Sequence, residues 1–410
     1  MTRALANWAT GQGGRGESRL LLGSHLVPST KATLVGSTSA HAHDLDDYAF
    51  SNHPSALLVP AILAEAEATG ARGDEMLRAY VVGYESWATV MKREPDHLHS
   101  KGWHPTGVFG PLGVAAAMAV LHHADEAATR NALGFAVAHA SGVMGNFGAM
   151  SKPYQGGRAA EAGVTAMRLA LSGMDAGPEA LDGQRGLLAA LSPAGGVDLE
   201  SPASHLGKDW YIVKHGLNIK RYPMVGASQR IIDAALELSD RETIDAGAID
   251  RVFAHVSEKH AAVMPFSRPR KSAEAKFSLE FAVAAALIAK RVGLDELDNC
   301  FVEREDVQAL MTKVERAIGA DDDPVYPVGA RADWIEVKMK DGTMLTSSEV
   351  SRARGHGLNP MNDEELREKF LSSVARSLST DDAEALFQTV QSVGELETVR
   401  AIALPDLVHA

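Results

Sequence analysis

"GWHPTGVFGPLGVAAAMAVL", residues 102–121, sets a histidine and a proline directly before an uncharged run of apolar and small residues. Proline at a first helical position pre-sets the helical φ and holds the residue before it extended, so the pattern predicts a helix from Pro105 with His104 at its N-terminus. The apolar window 108–121 is shorter than a bilayer-spanning helix and runs into His122, His123 and Asp125. It reads as a buried helix of a mainly α-helical protein.

Around it, from about Ser55 to Ser172, the chain is rich in Ala and Leu at helical spacing, broken by Gly and Pro near 69–73, 102–105 and 143–157. One helix is expected to end at Gly70 and the next to begin near Asp74. After Gly216 the character changes. "IDRVFAHVSEK" (249–259) alternates as a strand does, and "ADWIEVKMKDGTMLTSSEV" (332–350) predicts a hairpin turning at Asp341-Gly342. Between them, residues 273–293 carry a helical pattern. Helices return in "NDEELREKFLSSVARSL" (362–378), where Asn362 and Glu365 suit a capping box. The expected fold is therefore a large all-helical domain over 1–216, a smaller α+β lid domain over 217–350, and C-terminal helices over 351–410 that return to the helical domain.

The chain has 410 residues, 45% hydrophobic and 23% charged, as expected of a folded globular protein of two domains. A net charge of -13 argues against nucleic acid or an anionic membrane as partner. If the substrate is a carboxylate, local cations must hold it. The lone cysteine, Cys300, forms no intramolecular disulfide and no zinc or redox pair, and the first eighteen residues lack the apolar core of a signal peptide. A cytoplasmic location is expected.

Several segments carry candidate chemistry. Gly11, Gly13 and Gly16 fit G-x-G-x-x-G, but "RALANWAT" before them reads as a helix end where a dinucleotide site needs a strand. "HAHDLDDYAFSNHPS" (41–55) is dense in His and Asp. His41 and His43 at i, i+2 would share one side of a strand, as in βα-barrel metal sites, yet the chain shows no alternating βα pattern, so no metal is expected. More informative are His53-Pro54-Ser55 and His104-Pro105-Thr106, each opening an apolar helical run. A helix N-terminus favours a bound carboxylate and a neutral imidazole, the form a general base takes; the bland alternative is a capping histidine in a loop. "NFGAMSKPYQGGRAAEAG" (146–163) offers Lys152 and Arg158, and "NIKRYP" (218–223) offers Lys220 and Arg221 at the domain junction, each able to clamp a carboxylate or simply to be solvated.

In this order the segments resemble the MmgE/PrpD family, which includes 2-methylcitrate dehydratase, cis-aconitate decarboxylase and iminodisuccinate epimerase. "GWHPTGVFGPLGVAAA", "IKRYP", "EAKFSLEFAVAAAL" and "GHGLNPMNDEELREKF" belong to the same resemblance, which runs from about residue 4 to the C-terminal helices. It implies a helical domain with an α+β lid, a homodimer, an active site between the domains, no metal or organic cofactor, and a small di- or tricarboxylate substrate. It places catalytic roles on Asp44, His53, His104, Lys152 and Lys220, with Tyr48, Arg158, Arg221 and Gln229 expected to contact substrate. His53 or His104 would be base or acid, Asp44 would orient or share the proton, and the cations would hold carboxylates.

The chain departs from the family pattern in places. Val225 and Gln229 stand where members carry a histidine after the junction lysine, Phe281 stands where cis-aconitate decarboxylase has a lid tyrosine, and Tyr48 stands at a threonine position. Asp44 is also reached early, as though leading helices were missing. The expectation is a cofactor-independent lyase or isomerase, with dehydration ranked first, epimerisation second and decarboxylation third. The rival is a catalytically impaired relative that only binds carboxylate.

Overall fold

The computed structural model describes residues 1–94, 98–320, 322–325 and 329–404. Its first body is a stack of helices: α1 (Thr2–Gly11), α2 (Ser29–Ala40), α3 (Pro54–Thr69), α4 (Gly73–Met91), α5 (Pro105–Leu121), α6 (Glu126–Ala138) and α7 (Ser151–Leu171). The apolar run that follows His104 forms α5. It begins at Pro105 and buries Phe109, Leu112, Val114 and Met118 among α3, α4 and α7, a burial that stabilises the fold by roughly 2 kcal/mol for each large side chain. Close approach of these helices depends on small residues. A Cβ on Gly83 of α4 would lie 2.8 Å from the Gly113 carbonyl of α5, and one on Gly157 of α7 would strike the Thr38 hydroxyl of α2. The second crossing matters most, because it brings the C-terminal end of α2 against the first turns of α7.

α3 ends at Gly70 in the left-handed conformation, and α4 follows at Gly73 with Glu75 returning to the Arg72 N–H. Only the first half of the Gly-rich segment 143–157 is the loop its composition suggests. The helix starts at Ser151, with Pro153 tolerated because the first turn needs no backbone donors there.

A two-stranded link joins the parts: β1 (Asp47–Tyr48) pairs antiparallel with β2 (Asn218–Ile219). Beyond it, α8 (Gln229–Arg241) and α9 (Leu279–Ala289) pack on a four-stranded sheet ordered β4-β3-β5-β6, where β3 is Ile249–Ser257, β4 Val314–Gly319, β5 Trp334–Met339 and β6 Met344–Thr346. β3 runs parallel to β4 and antiparallel to β5, and β5–β6 is the expected hairpin, with Gly342 at positive φ in its turn. The alternation in β3 and β5 buries Val252, Ala254, Val256, Ile335 and Val337 in a second core with Ile231, Leu238 and Leu287. The helical pattern of 273–293 is interrupted. Ser278 caps α9 by accepting from the Phe281 N–H, leaving residues 276–278 as a turn.

The capping box at Asn362 and Glu365 opens α10 (Asp363–Val374), followed by α11 (Thr380–Gln391). α10 spans both bodies: Arg376 just after it pairs with Asp295 and Asp298, while Lys369 donates to the Leu45 carbonyl. Val399 and Ile402 then join the first core. Among the described residues no helix is long and apolar enough to cross a membrane.

Candidate active site

The site is assembled from chain ends and turns, where backbone geometry leaves side chains free to converge. His41 caps the C-terminus of α2, and the turn after it puts Asp44 at φ 53, a left-handed conformation that Asp tolerates better than most residues. His53 and His104 are the residues before Pro54 and Pro105, at the N-termini of α3 and α5. Lys152 sits in the first turn of α7, and Lys220 directly follows β2. All five residues expected to be catalytic meet here.

Lys152 Nζ donates to Asp44 Oδ1 at 2.5 Å, and Lys220 Nζ lies 3.3 Å from Asp44 Oδ2 and 3.0 Å from the Asp44 carbonyl. Burial works against charge on Asp44, but the two ammoniums outweigh it and hold the carboxyl well below the usual range. Burial also lowers Lys152, with Asp44 opposing. Around this ion cluster stand three imidazoles. The His41 and His53 ring centroids are 4.2 Å apart, and those of His104 lie 6.2 and 6.4 Å from them. Burial pushes all three toward the neutral form, helped by Lys152; His53 falls to about 3 although Asp46 opposes the shift.

Two members of the site are not evident from the sequence pattern. Asp46 Oδ2 accepts from His41 Nδ1 at 3.0 Å and makes an ion contact of 2.8 Å with His53 Nδ1, whose hydrogen bond goes to the Asp47 carbonyl, so one carboxylate faces two rings. By sequence His41 weighs only as a metal ligand beside His43, which is exposed; the signal for its actual role is an Asp five residues on, within reach across the turn. Lys276, in the turn before α9, crosses from the lid to donate to the Ala42 carbonyl at 2.7 Å. The Phe147 and Phe277 rings flank Lys152 Nζ, their centroids 5.6 and 5.4 Å away.

The residues expected to contact substrate divide differently. Tyr48 is half-buried at the seam, its ring against Gly226. Arg221 is exposed, over the Tyr222 ring, and faces a groove of about 1080 Å³ that also meets Leu45, Lys369 and Arg376. Arg158 is not brought to the cluster: it turns outward from α7 and pairs with Glu161. Gln229 is buried with its amide fully used. Its Oε1 accepts from the Arg221 and Tyr222 N–H groups, and its Nε2 donates to the Tyr222 and Met224 carbonyls. It is a clamp on the 221–229 loop with nothing left for substrate. Phe281 lies in the lid core, edge-on to Phe301, so its identity bears on packing there.

The α3 N-terminus does not await a ligand carboxylate either. Asp47 occupies it, accepting from the Ser55 N–H and hydroxyl. Ligand atoms of His41, His53 and His104, and of His41, Asp44, Asp46 and His53, lie within 4.8 Å of one another, close enough to hold a metal ion. In the second set, however, Lys152 and Lys220 already cover the Asp44 carboxylate that a cation would need.

Residues 1–200 match the family model described as the MmgE/PrpD N-terminal domain, and residues 222–395 match the MmgE/PrpD C-terminal domain. The chain is 28% identical over 383 residues to the cis-aconitate decarboxylase of Homo sapiens, covering 90% of this chain and 78% of that protein. It is 30% identical over 397 residues to the cis-aconitate decarboxylase-like protein oryM of Aspergillus oryzae, covering 90% and 80%. The cis-aconitate decarboxylase of Aspergillus terreus is 26% identical over 365 residues, covering 83% and 73%.

Proposed function

The chain belongs to the MmgE/PrpD family, and from that premise we propose that it is a lyase acting on a small di- or tricarboxylate by proton transfer at a carbon next to a carboxylate. The observation that carries this reading is the convergence of three imidazoles, His41 and His104 buried and His53 half-buried, on the Lys152–Asp44–Lys220 cluster, where burial disfavours their charged forms. Lys152 and Lys220 are matched by the carboxylates of Asp44 and Asp46, and Lys276 beside them adds the further cation that holds a substrate carboxylate and stabilises the enediolate formed when its neighbouring carbon loses a proton.

Dehydration is the finer assignment. A neutral imidazole takes the proton from carbon, the electron pair moves into the carboxylate, and its return expels a β-hydroxyl, which leaves as water with a proton from the imidazolium. The neutral ground state of these histidines suits a reaction that begins by removing a proton. Decarboxylation is the second reading, favoured by the names of the relatives. It runs the exchange in the other sense: the carbon–carbon bond to a carboxylate breaks, carbon dioxide leaves, and the carbon takes a proton from an imidazolium.

The test incubates the protein in deuterated water with a panel of di- and tricarboxylates, unsaturated and hydroxylated, followed by NMR and by carbon dioxide release, beside His104→Ala. Deuterium next to a carboxylate with loss or gain of water, absent in the variant, supports dehydration. Carbon dioxide release that rises as pH falls supports decarboxylation. Neither signal from folded protein with any member of the panel overturns the enzymatic reading.

A further inference from the structure

Two of the histidines and the third are wired to opposite hydrogen-bond partners. Asp46 Oδ2 and the Asp47 backbone carbonyl, 3.1 Å from His53 Nδ1, can only accept. The His53 proton therefore sits on Nδ1 and leaves Nε2 bare, and the contact of His41 Nδ1 with Asp46 sets that ring the same way. His104 is held from the other side. Its Nδ1 lies 3.0 Å from Gln155 Nε2.

The orientation of the Gln155 amide follows from its other contacts. A backbone N–H can only donate, so the Gln155 atom 2.9 Å from the Val143 N–H must be the oxygen, which also receives the Asn146 amide at 2.6 Å. The opposite end is then the NH₂ group, donating to the Val143 carbonyl at 3.3 Å and to His104 Nδ1. An Nδ1 that accepts leaves the proton of a neutral imidazole on Nε2. His104 is 1% exposed, and its Nε2 has no partner among the described residues.

We infer that Gln155 is a positioning residue that fixes His104 as an Nε2–H donor, opposite His53 as the acceptor, so that His53 is the base and His104 the donor to substrate oxygen. This deepens the proton-transfer reading above and rests on it for its catalytic half; the tautomer itself does not. A neutral imidazole donor polarises a carboxylate or holds a developing oxyanion without first being charged. That fits a ring faced by Lys152, His41, His53 and His99, where an added positive charge is opposed.

The experiment has two arms. In the first, protein labelled with ¹⁵N-histidine is examined by long-range proton–nitrogen NMR at neutral pH, with His104 assigned from its Ala variant. The expected result is a protonated Nε2 and a bare Nδ1; a protonated Nδ1, or an imidazolium, overturns the inference whether or not a substrate has been found. In the second, Gln155→Glu and Gln155→Met are compared. Glutamate is nearly isosteric but presents an acceptor to His104 Nδ1 and draws the proton there. Methionine removes the donor without inverting the tautomer.

Turnover is expected to fall by about 100-fold or more in the Glu variant and by less in the Met variant, with KM little changed in both. The Glu variant is also expected to recover activity as pH falls and His104 takes a second proton, on Nε2. A role in packing alone gives the reverse order, because glutamate preserves the shape of glutamine better than methionine does. That order, or a Glu variant with wild-type turnover and pH profile, overturns the assignment.

Discussion

The Lys220 ammonium lies 3.0 Å from the backbone carbonyl of Asp44 and 3.3 Å from its carboxylate, so the residue that follows β2 is tied twice to the strained turn after α2. Both groups are buried, and removing one partner leaves the other charge in a poorly solvating site. Lys220→Met is expected to lower unfolding stability by about 3 kcal/mol and to abolish turnover. Urea unfolding curves measure the first effect; an unchanged midpoint would show that Lys152 alone satisfies Asp44.

The neutral histidines make stability depend on pH. His53 has a folded value near 3 against an ordinary value of 6.5, so between those limits the unfolded chain binds more protons than the folded one. Stability therefore rises with pH across that window and falls as pH drops from 7 to 5, by up to about 1.4 kcal/mol per pH unit for each such histidine. Asp44 and Asp46 are depressed, and their contribution is lost only as pH falls below the ordinary carboxylate value of 3.8. His53→Gln should flatten the decline between pH 7 and 5. Asp47, raised to about 6 by burial, opposes this trend below pH 6, so the decisive comparison is between the two proteins: the same pH dependence in His53→Gln as in wild type would contradict the neutral assignment.

Asp46 works through the rings it orients. Asp46→Asn keeps the shape but can turn an N–H toward His41 and His53, which loosens the tautomer of both. Turnover is expected to fall by about 100-fold with KM changed little, because the carboxylate bonds His41 Nδ1 and faces His53 and Lys220. A rise in KM at constant kcat would instead place Asp46 among the groups that hold substrate.

Much of this arrangement is legible in the chain. The His-Pro pairs announce helix starts and so place His53 and His104, and the helical run 105–121 and the hairpin at Asp341-Gly342 follow from periodicity and turn chemistry. What is not legible depends on turns that periodicity does not describe. His41 and His43 stand at strand spacing, but His41 keeps helical φ/ψ at the end of α2 and residues 41–43 form a turn, which sends the two rings to different environments. Lys276 falls inside one continuous helical pattern, and only the cap at Ser278 divides it. Gln155 stands in a segment whose glycines suggest a loop, and only a helix starting at Ser151 brings its amide beside His104.

The surface arginine of α7 provides a contrast to these losses. Arg158 pairs with Glu161, which Lys31 also bonds at 2.8 Å, so Glu161 keeps a partner when the guanidinium is removed. Arg158→Ala is expected to change stability by less than about 1 kcal/mol and turnover by less than about 2-fold, in line with exposed ion pairs generally. A large rise in KM would show that Arg158 reaches substrate in a rearranged state of the site.

Gln229 separates a structural role from a binding one most cleanly. Its side chain is 1% exposed and holds four backbone groups between Arg221 and Met224, directly after the lysine that meets Asp44. Truncation strips the side-chain partner from all four, and among the described residues only the Tyr222 carbonyl keeps another, the Met224 N–H. Gln229→Ala is expected to cost about 3 kcal/mol of unfolding stability, and to reduce turnover through displacement of Lys220 rather than through a lost substrate contact. Gln229→Glu should fail similarly, because an oxygen replaces the NH₂ that serves the Tyr222 and Met224 carbonyls. A stable Ala variant whose KM alone rises would return Gln229 to the substrate-contacting group.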